Sequence, residues 1–324
     1  MPYLIAFVLL LGITAYSTAG GVDFGAGIWD LAAGEGPRGK EARELIDHAM
    51  APVWEVNNVW LVLSIVVTWT GFPLLFQSVF TALYPLYALA LVGLILRGAF
   101  FAFRHVADEP RAHRTANLVF GVSSLLTPFF FAASLGAIAS GNLRVFGLMP
   151  IAFGLVSLAA TAFSGASFLV GDARRYRATA LVGYFQRRTV VAATALIVVG
   201  TLALGAIAVE NPDLLRSMLT GRAVTFTLAA MVLTPVAAYL VWRGVFRMYR
   251  VLTVGAVGSL VLAWALAQSP YLVPGKLTIE QAVAPASTQV LLVVVTVVLV
   301  VFIVPAIGLL VYLDQRGTLE SPQP

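Results

Sequence analysis

Residues 189–209 read TVVAATALIVVGTLALGAIAV, a run of 21 residues without a single charged side chain. About twenty apolar residues in a helix cross the roughly 30 Å hydrocarbon core of a bilayer. Eight more apolar runs of similar length lie at 3–28, 54–72, 75–103, 116–139, 145–170, 223–242, 250–268 and 288–313. This pattern predicts an all-α, polytopic membrane protein with nine transmembrane helices.

The composition supports lipid as the main solvent. Of the 324 residues, 60% are hydrophobic and only 11% are charged, whereas a soluble domain has about a quarter of its residues charged. No positive charge precedes the first run and no small-residue cleavage site follows it, so we interpret it as a retained span. The net charge of +5 comes from basic residues in short loops, which indicates membrane topology and not binding to nucleic acid.

Ligands for a metal or a haem are scarce. The chain has no cysteine, which excludes disulfides, iron–sulfur clusters and thiolate zinc sites. Its three histidines, His48, His105 and His113, fall in loops or at the ends of runs. A haem within the bilayer needs an axial ligand at membrane depth, normally His or Met, and the methionines are scattered without partners. We therefore expect no metal and no cofactor bound by this chain alone.

The distribution of lysine and arginine predicts the orientation. Fifteen of the twenty fall in the loops after odd-numbered runs, four fall in the other loops, and Arg97 lies inside the third run. Cytoplasmic loops carry the excess of positive charge. The N-terminus is therefore predicted outside the cytoplasmic membrane and the C-terminus inside.

A short repeat occurs at a spacing of 146 residues. RGAFFAFR at 97–104 matches RGVFRMYR at 243–250 in Arg, Gly, Phe, an aromatic residue and Arg. An even number of spans per unit would keep two copies parallel. We predict a four-helix unit at 1–140, a second at 141–268, and an outer loop, ninth helix and cytoplasmic tail at 269–324. Chance similarity between aromatic-rich membrane borders is the alternative.

Three charged residues are predicted within or at the ends of spans, where charge is costly and is a functional signal by default. Asp23 lies about a turn before the inner end of the first run, Glu55 opens the second, and Arg97 lies two turns from the inner end of the third. One interpretation is a proton-conducting polar cluster. The other is a structural pair between Arg97 and a carboxylate that fixes helix orientation.

The start of the second run is unusually polar. Asn57 and Asn58 follow Glu55 directly, and Trp54 and Trp60 flank them. Tryptophans gather at membrane interfaces, but Trp60 lies deeper than an interfacial belt would require.

Several stretches resemble subunit II of cytochrome bd-type quinol oxidases. They are GVDFGAG at 21–27, APVWEVNNVWL at 51–61, and LILRG at 94–98 with Phe103 and Arg104. The resemblance implies nine spans, an outer N-terminus and two four-helix units, which the hydropathy and charge patterns predict independently.

The resemblance also implies a role. Subunit II pairs with a haem-bearing subunit I that oxidises quinol and reduces oxygen to water, in a bacterial or archaeal cytoplasmic membrane. Haems b and d, or b only, would then be in the partner, and small single-helix accessory subunits and lipid would be further partners. Some relatives also hold a quinone in this subunit, and no residue here decides that point.

On this reading, Asp23, Glu55 and Arg97 belong to or support a proton route, and Trp60 lies near the subunit interface or the oxygen path. Trp54, Asn57, Asn58 and Arg104 complete the matching motifs. The chain departs from the family pattern twice: Gly20 stands where members commonly have an acid, and Glu55 where they have Asp. Glutamate keeps a titrating group, whereas Gly20 removes one, as in a divergent member.

Two other classes stay open. A secondary transporter or channel with parallel four-helix repeats would also contain intramembrane charges, but near the midplane and on broken helices. A scaffold without any conduction role is the third interpretation.

Overall fold

Apolar runs leave the backbone no water to bond with, so their N–H and C=O groups must pair within helices. The computed structural model describes residues 1–50, 54–104, 110–303, 305–306 and 308–309, of which the side chains of 54–56, 110, 300 and 303 are not described. The elements are α1 Pro2–Ala15, α2 Gly21–Leu31, α3 Pro37–Met50, α4 Trp54–Gly71, α5 Pro73–Ala82, α6 Tyr84–Arg104, α7 Pro110–Ala139, α8 Leu148–Arg175, α9 Thr179–Glu210, α10 Pro212–Leu219, α11 Val224–Trp242, α12 Tyr249–Gln268, β1 Tyr271–Val273, β2 Leu277–Thr278, α13 Ile279–Ala282 and α14 Ala286–Val298.

The prediction of a helical, polytopic membrane protein is confirmed. Within the described ranges, seven helical stretches are long and apolar enough to cross a membrane, and an eighth is present if one bent pair counts as a single span. The first is continuous from Pro2 to Leu31 through a π-helical turn at Tyr16–Gly20. The ninth predicted run is represented by α14 and the π-helical Leu299–Ile303, and residues from 310 onward are outside the described part. A total of nine spans stays a prediction.

The third predicted span is shorter than the run 75–103 suggested. Helix α5 turns away from residues 57–71 of α4 by 113°, and α6 begins only at Tyr84. Pro73 causes the first break, because proline lacks an N–H and clashes with the preceding turn of a helix. Apolar composition alone cannot locate such a bend.

Glycines bring α2 into backbone contact with α8. A Cβ on Gly25 would overlap the Thr161 carbonyl and lie 2.8 Å from the Gly165 nitrogen. On the α7 side, a Cβ on Gly27 would overlap the Ser124 side chain. Small residues allow membrane helices to approach closely. Close packing is therefore the role of these two glycines in GVDFGAG.

The two copies of the Arg-Gly-Phe repeat have different backbones. Residues 97–104 are helical throughout in α6, whereas 243–248 form the connection between α11 and α12 and only 249–250 are helical. Gly244 takes a φ of +71°, and the Val245 N–H donates to the Leu240 carbonyl at 2.9 Å, which is a glycine-terminated helix end. The predicted units 1–140, 141–268 and 269–324 stay predictions.

The segment after α12, which the sequence analysis predicted as an outer loop, forms a small antiparallel hairpin. Tyr271 of β1 pairs with Thr278 of β2, and Thr278 with Gln281 caps α13. The chain then returns to the bend between α4 and α5, where the Ala284 N–H donates to the Gly71 carbonyl at 2.8 Å. Val273 of β1 is buried in a hydrophobic cluster with residues of α1, α4, α5 and α7.

Candidate functional site: stacked carboxylate–arginine pairs beside an apolar cavity

The structure brings Asp23 and Arg97 together in a buried ion pair. The Arg97 Nη1 donates to Asp23 Oδ2 at 2.9 Å and Nη2 donates to Asp23 Oδ1 at 2.9 Å, while Nη2 also donates to the Asp23 backbone carbonyl at 3.1 Å. The Arg97 side chain is 1% exposed and that of Asp23 is 6% exposed. A two-pronged pair of this kind fixes the geometry of both partners and is among the stronger hydrogen-bonded contacts.

Arg97 makes a further hydrogen bond through Nε and lies near two aromatic rings. Nε donates to Ser124 Oγ at 3.0 Å. The guanidinium carbon lies 4.8 Å from the Phe24 ring centroid and 5.0 Å from that of Phe120. Aromatic faces stabilise a nearby cation. Helices α2, α6 and α7 are therefore joined at one buried guanidinium.

A second pair lies two helical turns along the same helices. Arg104, the last residue of α6, places Nη1 3.5 Å from Asp30 Oδ2, and its Nη2 contacts Asp47 Oδ1 of α3. The Arg104 guanidinium carbon is 4.3 Å from the Phe120 centroid. Phe120 is thus shared by both arginines.

The sequence analysis did not identify Asp30 or Asp47. A signal for Asp30 was present, because Asp23 and Asp30 are seven residues apart, as are Arg97 and Arg104, so both pairs have a separation of 74. Seven residues are nearly two helical turns, which places such residues on one face. Asp47 had no comparable signal, because α3 is a separate amphipathic helix.

The polar motif at the start of α4 is only partly described. Asn57 is buried, and its Nδ2 donates to the Ala19 carbonyl in the π-helical turn at 3.2 Å. Asn58 and Trp60 are half-buried. The side chains of Trp54 and Glu55 are outside the described residues, so Glu55 is not placed relative to Asp23 and Arg97. A π-helical turn leaves the regular bonding ladder of a helix, and Asn57 satisfies one carbonyl there.

An apolar cavity of about 310 Å³ is lined by residues of α1, α2, α4, α5, α6, α7, α8 and α12. Its walls include Leu61, Tyr87, Phe131, Val257 and Trp264. The Tyr16 ring, also at its wall, lies edge-on to Phe131 at 6.2 Å, and the buried Tyr16 hydroxyl has no hydrogen-bond partner among the described residues.

Gly20 is packed against Tyr16. A Cβ at position 20 would lie 3.3 Å from the Tyr16 ring, so a larger side chain would require Tyr16 to shift. No group of three or more metal-ligating side chains occurs in the part of the chain that the structure describes.

Together, the apolar spans and the buried ion pairs define a polytopic helical membrane protein. A model of the family "Cytochrome bd terminal oxidase subunit II" matches residues 1–313. The chain belongs to this family of respiratory quinol oxidase subunits.

Individual relatives are distant. Subunit 2 of the cytochrome bd-I ubiquinol oxidase of Escherichia coli K12 is 26% identical over 204 residues, which are 56% of this chain and 52% of that protein. A putative cytochrome bd menaquinol oxidase subunit II of Bacillus subtilis is 29% identical over 126 residues, 39% of this chain and 35% of that protein. The chain thus aligns with about half the length, or less, of these relatives.

The fold is matched over a greater length than the sequence. The structure of a bd oxidase from Geobacillus thermodenitrificans superposes with a TM-score of 0.74 at 21% identity, over 97% of this chain and 98% of the matched chain. The helical arrangement is therefore that of a bd oxidase chain.

Proposed function

We propose that this chain is the haem-free subunit II of a bd-type terminal oxidase and pairs with a haem-bearing subunit I that oxidises quinol and reduces oxygen to water. Membership of the subunit II family carries the proposal. The partner would hold haems b and d, or b only, and small single-helix subunits would complete the complex. The arginine distribution supports a bacterial or archaeal cytoplasmic membrane with the N-terminus outside.

The chain's own part is access for protons and oxygen. The polar groups that support a proton role are Glu55 at the start of α4 and the Asp23–Arg97 pair, all on helices of the first unit. Both Asp23 oxygens accept bonds from Arg97, so this pair holds α2 and α6 in place while neighbouring groups exchange protons. Trp60, which is half-buried on α4, is the residue that we place near the interface with subunit I or along the path of oxygen.

The apolar cavity supports a bound quinone or lipid tail in this subunit. Its walls suit an isoprenoid or acyl chain, because apolar pockets with a few placed polar groups bind such ligands. The unpaired Tyr16 hydroxyl is a donor for a carbonyl oxygen. A quinone bound there would be structural, and no step of the reaction is assigned to it.

The test is native purification followed by visible spectroscopy. The complex should contain a second large membrane subunit, show haem absorption bands, and consume oxygen when given quinol. A colourless homo-oligomer that transports a solute would overturn the proposal in favour of the transporter.

Glu55 is tested by replacing it with the isosteric, non-titrating amide. In an assembled complex with an unchanged haem spectrum, Glu55→Gln should lower oxygen consumption by roughly tenfold or more, as expected for a lost proton-transfer group. Thr70→Ser, at an exposed position of α4 where serine keeps the hydroxyl bond to the Val66 carbonyl, is the matched control and should keep at least half the activity. Full oxygen consumption in Glu55→Gln would argue against a proton role.

A further inference from the structure

The carboxyl group of Asp30 is buried but only half paired. Asp30 is 1% exposed, its Oδ2 lies 3.5 Å from Arg104 Nη1, and its Oδ1 has no hydrogen-bond partner among the described residues. Asp23 lies seven residues earlier on α2, and both of its carboxylate oxygens accept hydrogen bonds from Arg97 at 2.9 Å. Two carboxylates of one helix therefore have very different environments.

Burying an ionised oxygen without a partner is costly, so such a group is expected to take up a proton or a water molecule. Asp30 is also the penultimate residue of α2, where the helix carbonyls disfavour a negative charge. Neither reason applies to Asp23, because both of its oxygens are paired with Arg97 and it lies in the first turn of α2.

Arg104 links Asp30 to the surface. The same guanidinium contacts Asp47 of α3, whose side chain is 34% exposed, and within the described part of the chain the Arg104 Nε has no hydrogen-bond partner. Both the Arg104 Nε and the Asp30 Oδ1 are thus left without a hydrogen-bond partner among the described residues. The charged or titratable groups that act on Asp30 among the described residues are Arg104, Asp47, Arg43 and His113.

We infer that Asp30 is a proton-exchanging residue of this subunit, which takes protons from water at Asp47 and releases them toward the oxygen-reducing centre of the complex. The step moves only a proton: it arrives from bulk water, resides on the Asp30 carboxyl and leaves again when oxygen reduction consumes protons. This inference rests on the proposed function. Arg104 acts as a positioning residue that holds Asp30 and Asp47 on either side of one guanidinium.

The test compares Asp30→Asn, Asp30→Glu and Asp172→Asn in the complete complex. Asp172 is the matched control, because it pairs with Arg250 at 2.6 Å near the C-terminal end of α8 and is not part of the α2–α6 pairs. Oxygen consumption with quinol is measured alongside infrared difference spectra, in which the carboxyl C=O band reports a protonated side chain as the pH is stepped. Asp30→Asn should lose the carboxyl band, and its turnover should fall at least roughly tenfold. Asp30→Glu should have at least half of the wild-type turnover. Asp172→Asn should keep both the carboxyl band and the turnover of the wild type.

Other outcomes overturn the inference. The first is full turnover in Asp30→Asn with an unchanged carboxyl band. The second is a loss of turnover in Asp30→Glu as large as that in Asp30→Asn, with no change in the carboxyl band, because this result would show a structural role for Asp30. If Asp30→Asn fails to assemble, the Asp30→Glu complex decides, because its carboxyl band must shift for the inference to stand. A wild-type preparation without a haem partner would instead contradict the proposed function.

Discussion

Asp23 and Arg97 form a pair that depends on both members, because each charge is buried and would otherwise lack a partner. Removing one partner of a buried pair usually costs about 3–5 kcal/mol, whereas replacing both by apolar residues is often nearly neutral. We expect Arg97→Leu to destabilise the protein by roughly that amount, and the double variant Asp23→Leu with Arg97→Met to recover most of it. Thermal unfolding of the detergent-purified complex measures the difference.

The Asp172–Arg250 pair is the control for this prediction at the residue scale. Its side chains are 22% and 40% exposed, so water compensates for a lost partner and Arg250→Leu should cost about 1 kcal/mol or less. Equal losses in Arg97→Leu and Arg250→Leu would show that burial is not what makes the Asp23–Arg97 pair costly to break.

The crossing of α2 with α8 depends on glycine at the element scale. Because a Cβ on Gly25 would overlap the Thr161 carbonyl, Gly25→Ala must separate the two backbones. Overpacking of this kind typically costs 1–3 kcal/mol, and here the obstacle is backbone, which yields less than a side chain. We expect Gly25→Ala to lower the unfolding midpoint and the yield of assembled complex, as measured by thermal scanning and size-exclusion chromatography.

Gly200 offers a matched substitution in a different helix. It lies within α9, and nothing is within 4 Å of its Cβ position. Gly200→Ala should therefore be neutral or stabilising, since alanine is favoured over glycine in helix interiors by about 1 kcal/mol. A loss of stability in Gly200→Ala comparable to that in Gly25→Ala would mean that close approach is not the reason for Gly25.

The orientation of the whole molecule is a prediction that single cysteines test cleanly, because the chain has none of its own. Lys276, in the outer hairpin, and Lys40, in α3, are both exposed. On intact cells with a membrane-impermeant maleimide, Lys276→Cys should be labelled, and Lys40→Cys should be labelled only after the membrane is opened. Mass spectrometry or a gel shift records the labelling.

Asn142 is a second outer position, exposed in the loop between α7 and α8. Asn142→Cys should be labelled in the same way as Lys276→Cys if an even number of spans separates these sites, as the span count predicts. Labelling of Lys40→Cys on intact cells, together with protection of Lys276→Cys, would reverse the orientation. Opposite behaviour of Asn142→Cys and Lys276→Cys would contradict the predicted number of spans between them.

The sequence by itself determined the membrane class and the main spans, and it singled out Asp23 and Arg97 as charged residues within predicted spans. Hydropathy and the cost of buried charge are local properties that a single chain displays residue by residue. The sequence left two interpretations of Arg97 open, a proton-conducting cluster and a structural pair with a carboxylate. The two hydrogen bonds between Arg97 and the Asp23 carboxylate show the pair that the second interpretation requires. A proton role for Asp23, Glu55 and Arg97 stays a prediction.

Only the tertiary structure decided which groups share a partner. The backbone contact of Gly25 with α8 and the contact of Asp47 with Arg104 join elements distant in the chain. At the bend between α4 and α5, the hydrogen bond from Ala284 to Gly71 does the same. The half-paired state of Asp30 is the clearest case, because whether a buried oxygen finds a donor depends on three helices at once. No pattern within a single helix encodes that coincidence.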